Sequence, residues 1–480
     1  MIRASRVASA AFAAGLALGS FACGDHTPVS PATDASTLDA RRAGVGGSQG
    51  SSGHLILLKE GVTADLTAAV QHAGGKVARS YKEIGVLSAT GLSAAAIADL
   101  AKRPEVQAVT YNPRLQWIPP VKLGVFRKLS VKHRIGLSTD QSGAAFFQLQ
   151  WNLRITQANT AWLASNQGRG TRVAVLDSGI DPTHIDLQGA VDPSCSASFV
   201  PSETAFTDFV FHGTFVAGII RSNGIGVGSV APETTLCSVK VGNADGLTLE
   251  GIVGGIVFAG LIRADVANMS FGGYFDKTNP DDAAVLDIFS RAIKFASQRG
   301  VLMVAAAGNE AVNTNTDPKN MIFAPAELKH VISVGATAPI NQQNFDQIAS
   351  YSNLGRSGVD VFAPGGDFID GQSVPEDLII SPCSPTTVLF DCSDGLSYLI
   401  GSGTSFSTAH VTGEGAVIES QFPGDQNDEF LANCILKSAD PVTGRKIDPL
   451  YDRGRINVLR GASCAPGKNK GALVASSKAH

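Results

Sequence analysis

The chain has 480 residues, of which 44% are hydrophobic and 17% are charged. This composition is typical of a globular protein that buries a core, and it excludes a largely disordered chain. The formal net charge of −4 gives no basis for a nucleic-acid partner or for binding to an anionic membrane.

Residues 1–22 have the pattern of a signal peptide. Arg3 and Arg6 precede an apolar stretch over residues 7–22, which is too short to span a bilayer. Export would make the protein secreted or extracytoplasmic. Cys23 follows a small residue, as at the processing sites of bacterial lipoproteins, so a lipid anchor at Cys23 and ordinary signal cleavage both remain open.

Residues 23–52 are rich in Gly, Ser, Ala, Thr and Pro, and we interpret them as a flexible tether. Residues 53–118 then show the pattern of a small α+β domain with the order β-α-β-β-α-β, which is that of a ferredoxin-like unit. Its strands are predicted within 54–58, 76–89 and 106–111, and its helices at 64–73 and 94–102.

Residues 119–147 begin with two prolines and then carry five Lys or Arg residues with little periodicity. We predict an exposed linker that is open to proteolysis. Over residues 148–461 predicted strands and helices alternate, which indicates an α/β domain with a parallel sheet covered by helices on both faces. Residues 462–480 are predicted to be a disordered polar tail.

The chain contains seven cysteines. Without Cys23, six remain, which in an exported protein predicts up to three disulfides. The pairs nearest in sequence are Cys383 with Cys392 and Cys434 with Cys464. Connectivity is not fixed by the sequence, and buried free thiols remain an alternative.

Four segments place a polar residue where a predicted strand ends or a predicted helix begins. Each residue alone has an ordinary structural interpretation, as a surface residue, a turn residue or a helix cap. Together they supply what acyl transfer by serine requires: a nucleophile, a base, a carboxylate that orients the base, and an oxyanion donor. In chain order these residues are Asp177, His212, Asn309 and Ser405.

Residues 148–461 resemble a serine peptidase of the subtilisin and proteinase K type. The resemblance is carried by the aspartate motif at 175–181, the histidine motif at 212–218, the serine motif at 403–411 and the oxyanion segment at 307–309. It implies a secreted endopeptidase that cleaves polypeptides with a subtilisin-like parallel sheet, an Asp177/His212/Ser405 triad and an Asn309 oxyanion donor.

The resemblance also implies the substrate-binding residues and the role of the small domain. Ser270, Phe271 and Gly272 would form one wall of the pocket for the P1 side chain, and Ala307 and Gly308 the other. Residues 53–118 resemble the family's propeptide, which assists folding and then inhibits. The protein would be a monomer made as an autoprocessed zymogen, cut after Tyr111 and before Gln148.

Two positions depart from the family's pattern, which has His at 215 and Pro at 409, whereas this chain has Phe215 and Ala409. Structural calcium is common in the family. Asp186 matches one ligand position, but the loop at 221–228 that would complete that site is about two residues short. Asp360 matches a second position, where backbone carbonyls near Lys329 and Val331 would supply the other ligands.

Two other functions are conceivable from the sequence. A lipase-like hydrolase would need Gly-x-Ser-x-Gly at the nucleophile, but Ser407 occupies the second Gly position and the chain order differs. A binding module derived from a peptidase would show a lost triad member, and none is lost. The only sequence signal for the P1 preference is the small, apolar character of the pocket walls, which favours broad or apolar specificity.

Overall fold

The computed structural model describes residues 45–46, 53–62, 64–115, 122–128, 140–316, 320–355, 358–422, 427–442 and 454–464. The predicted signal peptide, Cys23, most of the tether and the end of the tail lie outside these residues and stay predictions. Within the described part of the chain, no helix combines the length and the apolar character needed to span a membrane.

Residues 53–111 fold as the predicted small domain. Its antiparallel sheet has the strand order β3 (Lys76–Tyr81), β4 (Val86–Thr90), β2 (His54–Leu58) and β5 (Val106–Tyr111), and its core contains Ile56, Val70, Leu87 and Leu100. The order of elements matches the ferredoxin-like prediction, although the first helix is shorter than predicted. The elements up to residue 128 are β1 (Val45–Gly46), β2 (His54–Leu58), α1 (Thr67–His72), β3 (Lys76–Tyr81), β4 (Val86–Thr90), α2 (Ala94–Ala101), β5 (Val106–Tyr111), β6 (Arg114–Leu115) and β7 (Lys122–Lys128).

The large domain contains the alternating strands and helices that the sequence predicts. From residue 151 to 306 they are α3 (Trp151–Ile155), α4 (Ala158–Ala164), β8 (Arg172–Asp177), β9 (Ala197–Ser198), α5 (His212–Ile220), β10 (Thr235–Lys240), β11 (Gly242–Asn243), β12 (Gly246–Thr248), α6 (Leu249–Leu261), β13 (Val266–Met269), β14 (Gly273–Asp276), α7 (Pro280–Ser297) and β15 (Leu302–Ala306). The remainder are β16 (Met321–Ala324), β17 (Val331–Ile340), β18 (Gln343–Ile348), β19 (Val361–Pro364), β20 (Ile379–Pro382), β21 (Ser397–Ser402), α8 (Thr404–Glu419), α9 (Asp428–Ser438) and α10 (Val458–Ala462).

The central sheet has the order β18-β17-β15-β13-β8-β10-β9, with β19 also paired to β17. All of these pairs are parallel except that of β17 with β18. Helix α8 packs on one face, and α6 and α7 cover the other. The continuous apolar strands of the sequence reflect this double burial, and the predicted fold class is confirmed.

Two strands that follow the small domain, β6 and β7, pair with strands of the large domain. β6 pairs antiparallel with β12, and β1 pairs with the other edge of β6. β7 pairs antiparallel with β21, the strand that leads into α8. The predicted linker over residues 119–147 did not include this strand, and its last residues, among them Phe146 and Phe147, are buried in the large domain.

Three disulfides join the six cysteines of the described chain: Cys195–Cys237, Cys383–Cys392 and Cys434–Cys464. The two predicted pairs are confirmed, and the third closes a separation of 42 residues that proximity in sequence did not suggest. The last bridge attaches Cys464 to α9, so the start of the predicted tail belongs to the domain.

Candidate active site

The carboxyl ends of the parallel strands bring the predicted catalytic residues together. Asp177 ends β8, and His212 is the first residue of α5. His212 Nδ1 lies 2.8 Å from Asp177 Oδ1, and both side chains are buried. Because both side chains are shielded from water, this contact holds the imidazole in one orientation.

A second carboxylate lies behind this pair. The Ser178 hydroxyl is 3.2 Å from Asp177 Oδ1 and 2.7 Å from Asp208 Oδ1. Asp208 also accepts the amide of Thr214, 2.8 Å away, and so caps the start of α5. Sequence reasoning missed Asp208, although an Asp just before an apolar helix is a helix-start signal.

The electrostatics of the pair favour a proton on His212. Burial alone lowers the pKa of His212, but the Asp177 charge and hydrogen bond, with a smaller contribution from Asp208, raise it above 6.5. For Asp208, burial is the main cause of a raised pKa, and the neighbouring Asp177 charge acts in the same direction.

Ser405 lies in the first turn of α8, where backbone amides have no partner within the helix. Its hydroxyl donates to Ser270 O at 3.1 Å, rather than to His212. The Ser270 hydroxyl in turn donates to Ser405 O at 2.9 Å. The predicted nucleophile is therefore held beside the predicted substrate-binding segment.

Asn309 is attached to the same helix start. Its Oδ1 accepts the Thr404 amide at 3.0 Å and the Thr404 hydroxyl at 2.8 Å. These two donors fix the oxygen side of the carboxamide, so Nδ2 points the other way. Thr404, which sequence reasoning did not single out, thereby positions Asn309 next to Ser405.

The two predicted pocket walls follow neighbouring parallel strands. Ser270, Phe271 and Gly272 come after β13, and Ala307 and Gly308 come after β15, its partner in the sheet. The Gly308 amide donates to Thr404 Oγ1 at 3.3 Å, which connects the second wall to α8. Both walls therefore lie at the edge of the sheet that carries the Asp177–His212 pair.

The unusual Phe215 is accommodated by aromatic packing. Its ring lies 4.2 Å from that of Phe406, which in turn lies 6.1 Å from the His212 ring. A second aromatic contact involves the Cys383–Cys392 loop. Phe390 of this loop packs against Phe211, the residue before His212. This disulfide-closed loop therefore lies near the site.

Helix α8 also buries two ionisable residues beyond the nucleophile. His410 contacts Phe406 O through Nδ1 and Asn152 through Nε2, and burial lowers its pKa to about 4, so it is neutral. Glu414 is fully buried, and its Oε1 accepts the Ser438 hydroxyl at 3.3 Å. Burial raises the pKa of Glu414 to about 8.

The two candidate calcium ligands have different surroundings. Asp186 accepts three backbone amides, from residues 225–227, and the Tyr398 hydroxyl at 2.7 Å. These donors point hydrogen atoms at the carboxylate, so Asp186 does not fit a cation. Asp360 accepts the Ser333 amide at 2.9 Å, and the described residues contain no group of three acidic, His or Cys ligands. Calcium at Asp360 would therefore depend on backbone carbonyls.

A doubly wound parallel sheet with an Asp–His pair and a serine at the start of the adjacent helix defines the class of the protein as a serine peptidase. Residues 168–459 match the Subtilase family, which is more than half of the chain, and the chain belongs to that family. Membership leaves no support for the lipase-like alternative.

Individual relatives give the same result. The chain is 32% identical over 312 residues to a thermophilic serine proteinase of Bacillus sp. strain AK1, over 64% of this chain and 65% of the relative. It is 31% identical over 399 residues to subtilisin NAT of Bacillus subtilis subsp. natto, over 82% of this chain and 84% of the relative. The fold is similar to that of the epidermin leader peptide processing serine protease of Staphylococcus aureus, with a TM-score of 0.68, 21% identity, and coverage of 88% and 100%.

Proposed function

We propose that this protein is an endopeptidase that hydrolyses peptide bonds with Asp177, His212 and Ser405, and that Asn309 stabilises the oxyanion. The observation that carries the proposal is the buried 2.8 Å contact between His212 Nδ1 and Asp177 Oδ1, beside a serine at the start of α8. Family membership supports the same assignment.

In the proposed mechanism, Ser405 Oγ attacks the scissile carbonyl while His212 Nε2 takes the hydroxyl proton. The tetrahedral oxyanion accepts hydrogen bonds from Asn309 Nδ2 and from the Ser405 amide. His212 then donates the proton to the leaving amine, and a water molecule hydrolyses the acyl-enzyme by the reverse sequence. Asp177 keeps a proton on Nδ1, so that Nε2 is the basic nitrogen.

The first step requires the Ser405 hydroxyl to leave Ser270 O and turn towards His212. Rotation about the Cα–Cβ bond moves a serine oxygen between staggered positions without any movement of the backbone. Catalytic hydrogen bonds commonly form only in the substrate complex. The present orientation is therefore compatible with the mechanism.

We also propose that the small domain is an inhibitory propeptide. It contacts the large domain through Glu250, whose Oε2 accepts the Ser88 hydroxyl at 2.8 Å and whose backbone O accepts the Tyr81 hydroxyl at 2.9 Å. Arg79 adds a 3.3 Å ion pair with Glu250. The 399-residue match to subtilisin NAT, longer than the family match, supports a shared N-terminal domain.

The strand pairings narrow the proposed processing site. β6 ends at Leu115 on β12, and β7 begins at Lys122 on β21, which leads directly to Ser405. These two pairings attach the chain to the large domain before residue 116 and again after residue 121. The proposed first cut therefore lies between Leu115 and Lys122, and it is intramolecular.

We further propose export, for which the predicted signal peptide and three disulfides are the support, since disulfides persist in oxidising compartments. Both fates of Cys23, lipid anchoring and ordinary cleavage, stay open. Calcium at Asp360 stays a proposal on the basis of the family pattern.

The replacement Ser405→Ala tests the proposed mechanism. It should abolish casein hydrolysis and leave the precursor uncut, because no other group supplies the attacking oxygen. Ser407→Ala is the matched control, since Ser407 is buried two residues further along α8 and its hydroxyl has no hydrogen-bond partner. A Ser405→Ala protein that processes itself and digests casein would refute the assignment, as would equal loss in the control.

A further inference from the structure

We infer that Phe323 fills the inner part of the P1 pocket and restricts the P1 residue of substrates to small side chains. This inference rests on the proposed peptidase function and names its substrate class. It depends on where the Phe323 ring lies relative to the two pocket walls.

The ring contacts one glycine of each wall. A Cβ atom built on Gly272 would overlap Cε1 of Phe323, and one built on Gly308 would lie 3.0 Å from its Cζ. Gly272 and Gly308 belong to opposite walls, so a ring that touches both must occupy the space between them. The missing side chain at Gly272 makes room for the ring. Beside Gly308 the ring shares the space with Asn353 Nδ2 and Glu310 Oε2, each of which a Cβ built there would overlap.

The ring is also fixed from behind. Phe323 and Tyr274 are directly paired residues of β16 and β14, and their rings meet edge to face at 4.9 Å. The Tyr274 hydroxyl accepts a hydrogen bond from Asn353 Nδ2 at 3.1 Å, and the same nitrogen lies 2.8 Å from Ala307 O. Moving Phe323 out of the pocket would break this packing.

A pocket shortened by an aromatic ring accepts Ala or Ser at P1 more readily than Leu or Phe. A difference of one methylene in an apolar pocket changes kcat/KM by about 10–200-fold, and a phenyl group exceeds a methyl group by several carbons. We therefore expect kcat/KM to be at least about 10-fold higher for Ala than for Phe at P1.

An acidic side chain near the second wall could favour a basic P1 residue over a small one. Glu310 is exposed, and its Oε2 accepts a hydrogen bond from Asn353 at 2.7 Å. This carboxylate lies beside Gly308 of the second wall, where it would attract Lys at P1. The Lys substrate therefore belongs in the test, because a preference for Lys over Ala would show that charge and not volume decides.

The sequence of the proposed processing segment must be compatible with the inferred preference for small P1 side chains. Residues 116–121 contain no Gly, Ala or Ser. A cut there places a poorly fitting side chain in the pocket, but the step is intramolecular, and its high effective concentration offsets the poor fit.

The test compares peptide substrates that differ only at P1, with Ala, Ser, Leu, Phe or Lys. The natural enzyme should cleave the Ala and Ser peptides best, and Phe323→Gly should reverse the ranking of Ala and Phe. Phe275→Leu is the control, since Phe275 is the next residue of β14 and packs against Phe289. The ratio of kcat/KM between two peptides does not depend on the fraction of enzyme that is active. A variant that folds poorly therefore still gives a valid P1 ranking.

A natural enzyme that prefers Phe, Leu or Lys over Ala would overturn the inference even if Phe323→Gly never folds. An unchanged ranking in Phe323→Gly would also overturn it. Failure of the proposed function looks different: no peptide is cleaved, and Ser405 does not react with a fluorophosphonate probe. The two failures are therefore distinguishable.

Discussion

The Ser178 hydroxyl connects two buried carboxylates, Asp177 and Asp208, behind a single imidazole. Burial raises the pKa of Asp208, while the amide and hydroxyl hydrogen bonds that it accepts act in the opposite direction and favour its ionised form. Two negative charges therefore act on His212, one by direct contact and one at longer range. The pH at which activity is lost in acid should therefore depend on the charges of both Asp177 and Asp208.

We predict that kcat/KM of the mature enzyme falls in acid with a midpoint above 6.5, because the pKa of His212 is raised and only neutral His212 can accept the serine proton. Asp208→Asn should move this midpoint to lower pH, since it removes a charge that favours protonated His212. A pH profile of kcat/KM measures the shift.

Asp192→Asn is the control for this experiment. Asp192 caps a short turn, and its amide bonds Leu236 O near the amino end of β10, away from the site. The control should leave the midpoint in place. A midpoint that is unchanged in Asp208→Asn, or that moves equally in both variants, would contradict the role given to Asp208.

Sequence motifs were sufficient to predict four residues of the site, because the chemistry at each position requires a fixed residue type. These residues are Asp177, His212, Asn309 and Ser405. Phe323 could not be predicted in this way. Its role comes from contacts with Gly272 and Gly308, and any bulky residue of an apolar run has the same sequence pattern. The preference for a small P1 side chain could therefore be inferred only from the three-dimensional structure.

At the scale of elements, the buried strands and long helices were predictable from their hydrophobic periodicity, as for β8 and α8. β7 was not, because its pairing partner β21 is distant in the chain. The register of this pair shifts between Tyr398 and Leu399, which are opposite Arg127 and Val125. This bulge interrupts the alternation of side chains by which a strand is recognised.

The pairing of β7 predicts that activation takes two cuts. After a first cut within residues 116–121, β7 would still occupy β21 beside the nucleophile, as a bound leaving-group segment. Full activity should therefore appear only after a second cut beyond Lys128. Sequencing of the N-terminus during activation, in parallel with a peptide assay, measures both events. Full activity in a form that begins between residues 116 and 122 would contradict the prediction.

At the scale of the whole molecule, calcium bound at Asp360 would stabilise the folded protein, because an ion that binds only the folded state raises the free energy of unfolding. In a Ser405→Ala background, which prevents autolysis, removal of calcium by EDTA should lower the midpoint of thermal unfolding by about 3 °C if Asp360 binds the ion. Asp360→Asn in the same background should remove this difference. Equal shifts in both proteins, or none in either, would count against calcium at Asp360.

The buried Glu414 has a consequence for the conditions under which the protein keeps best. An unfolded glutamic acid ionises near its usual pKa of 4.5, whereas Glu414 in the folded protein keeps its proton up to about pH 8. The folded state therefore loses stability relative to the unfolded state as the pH rises between these values. A mildly acidic medium should suit long storage, since it preserves the nucleophile helix while a protonated His212 keeps the protein from digesting itself.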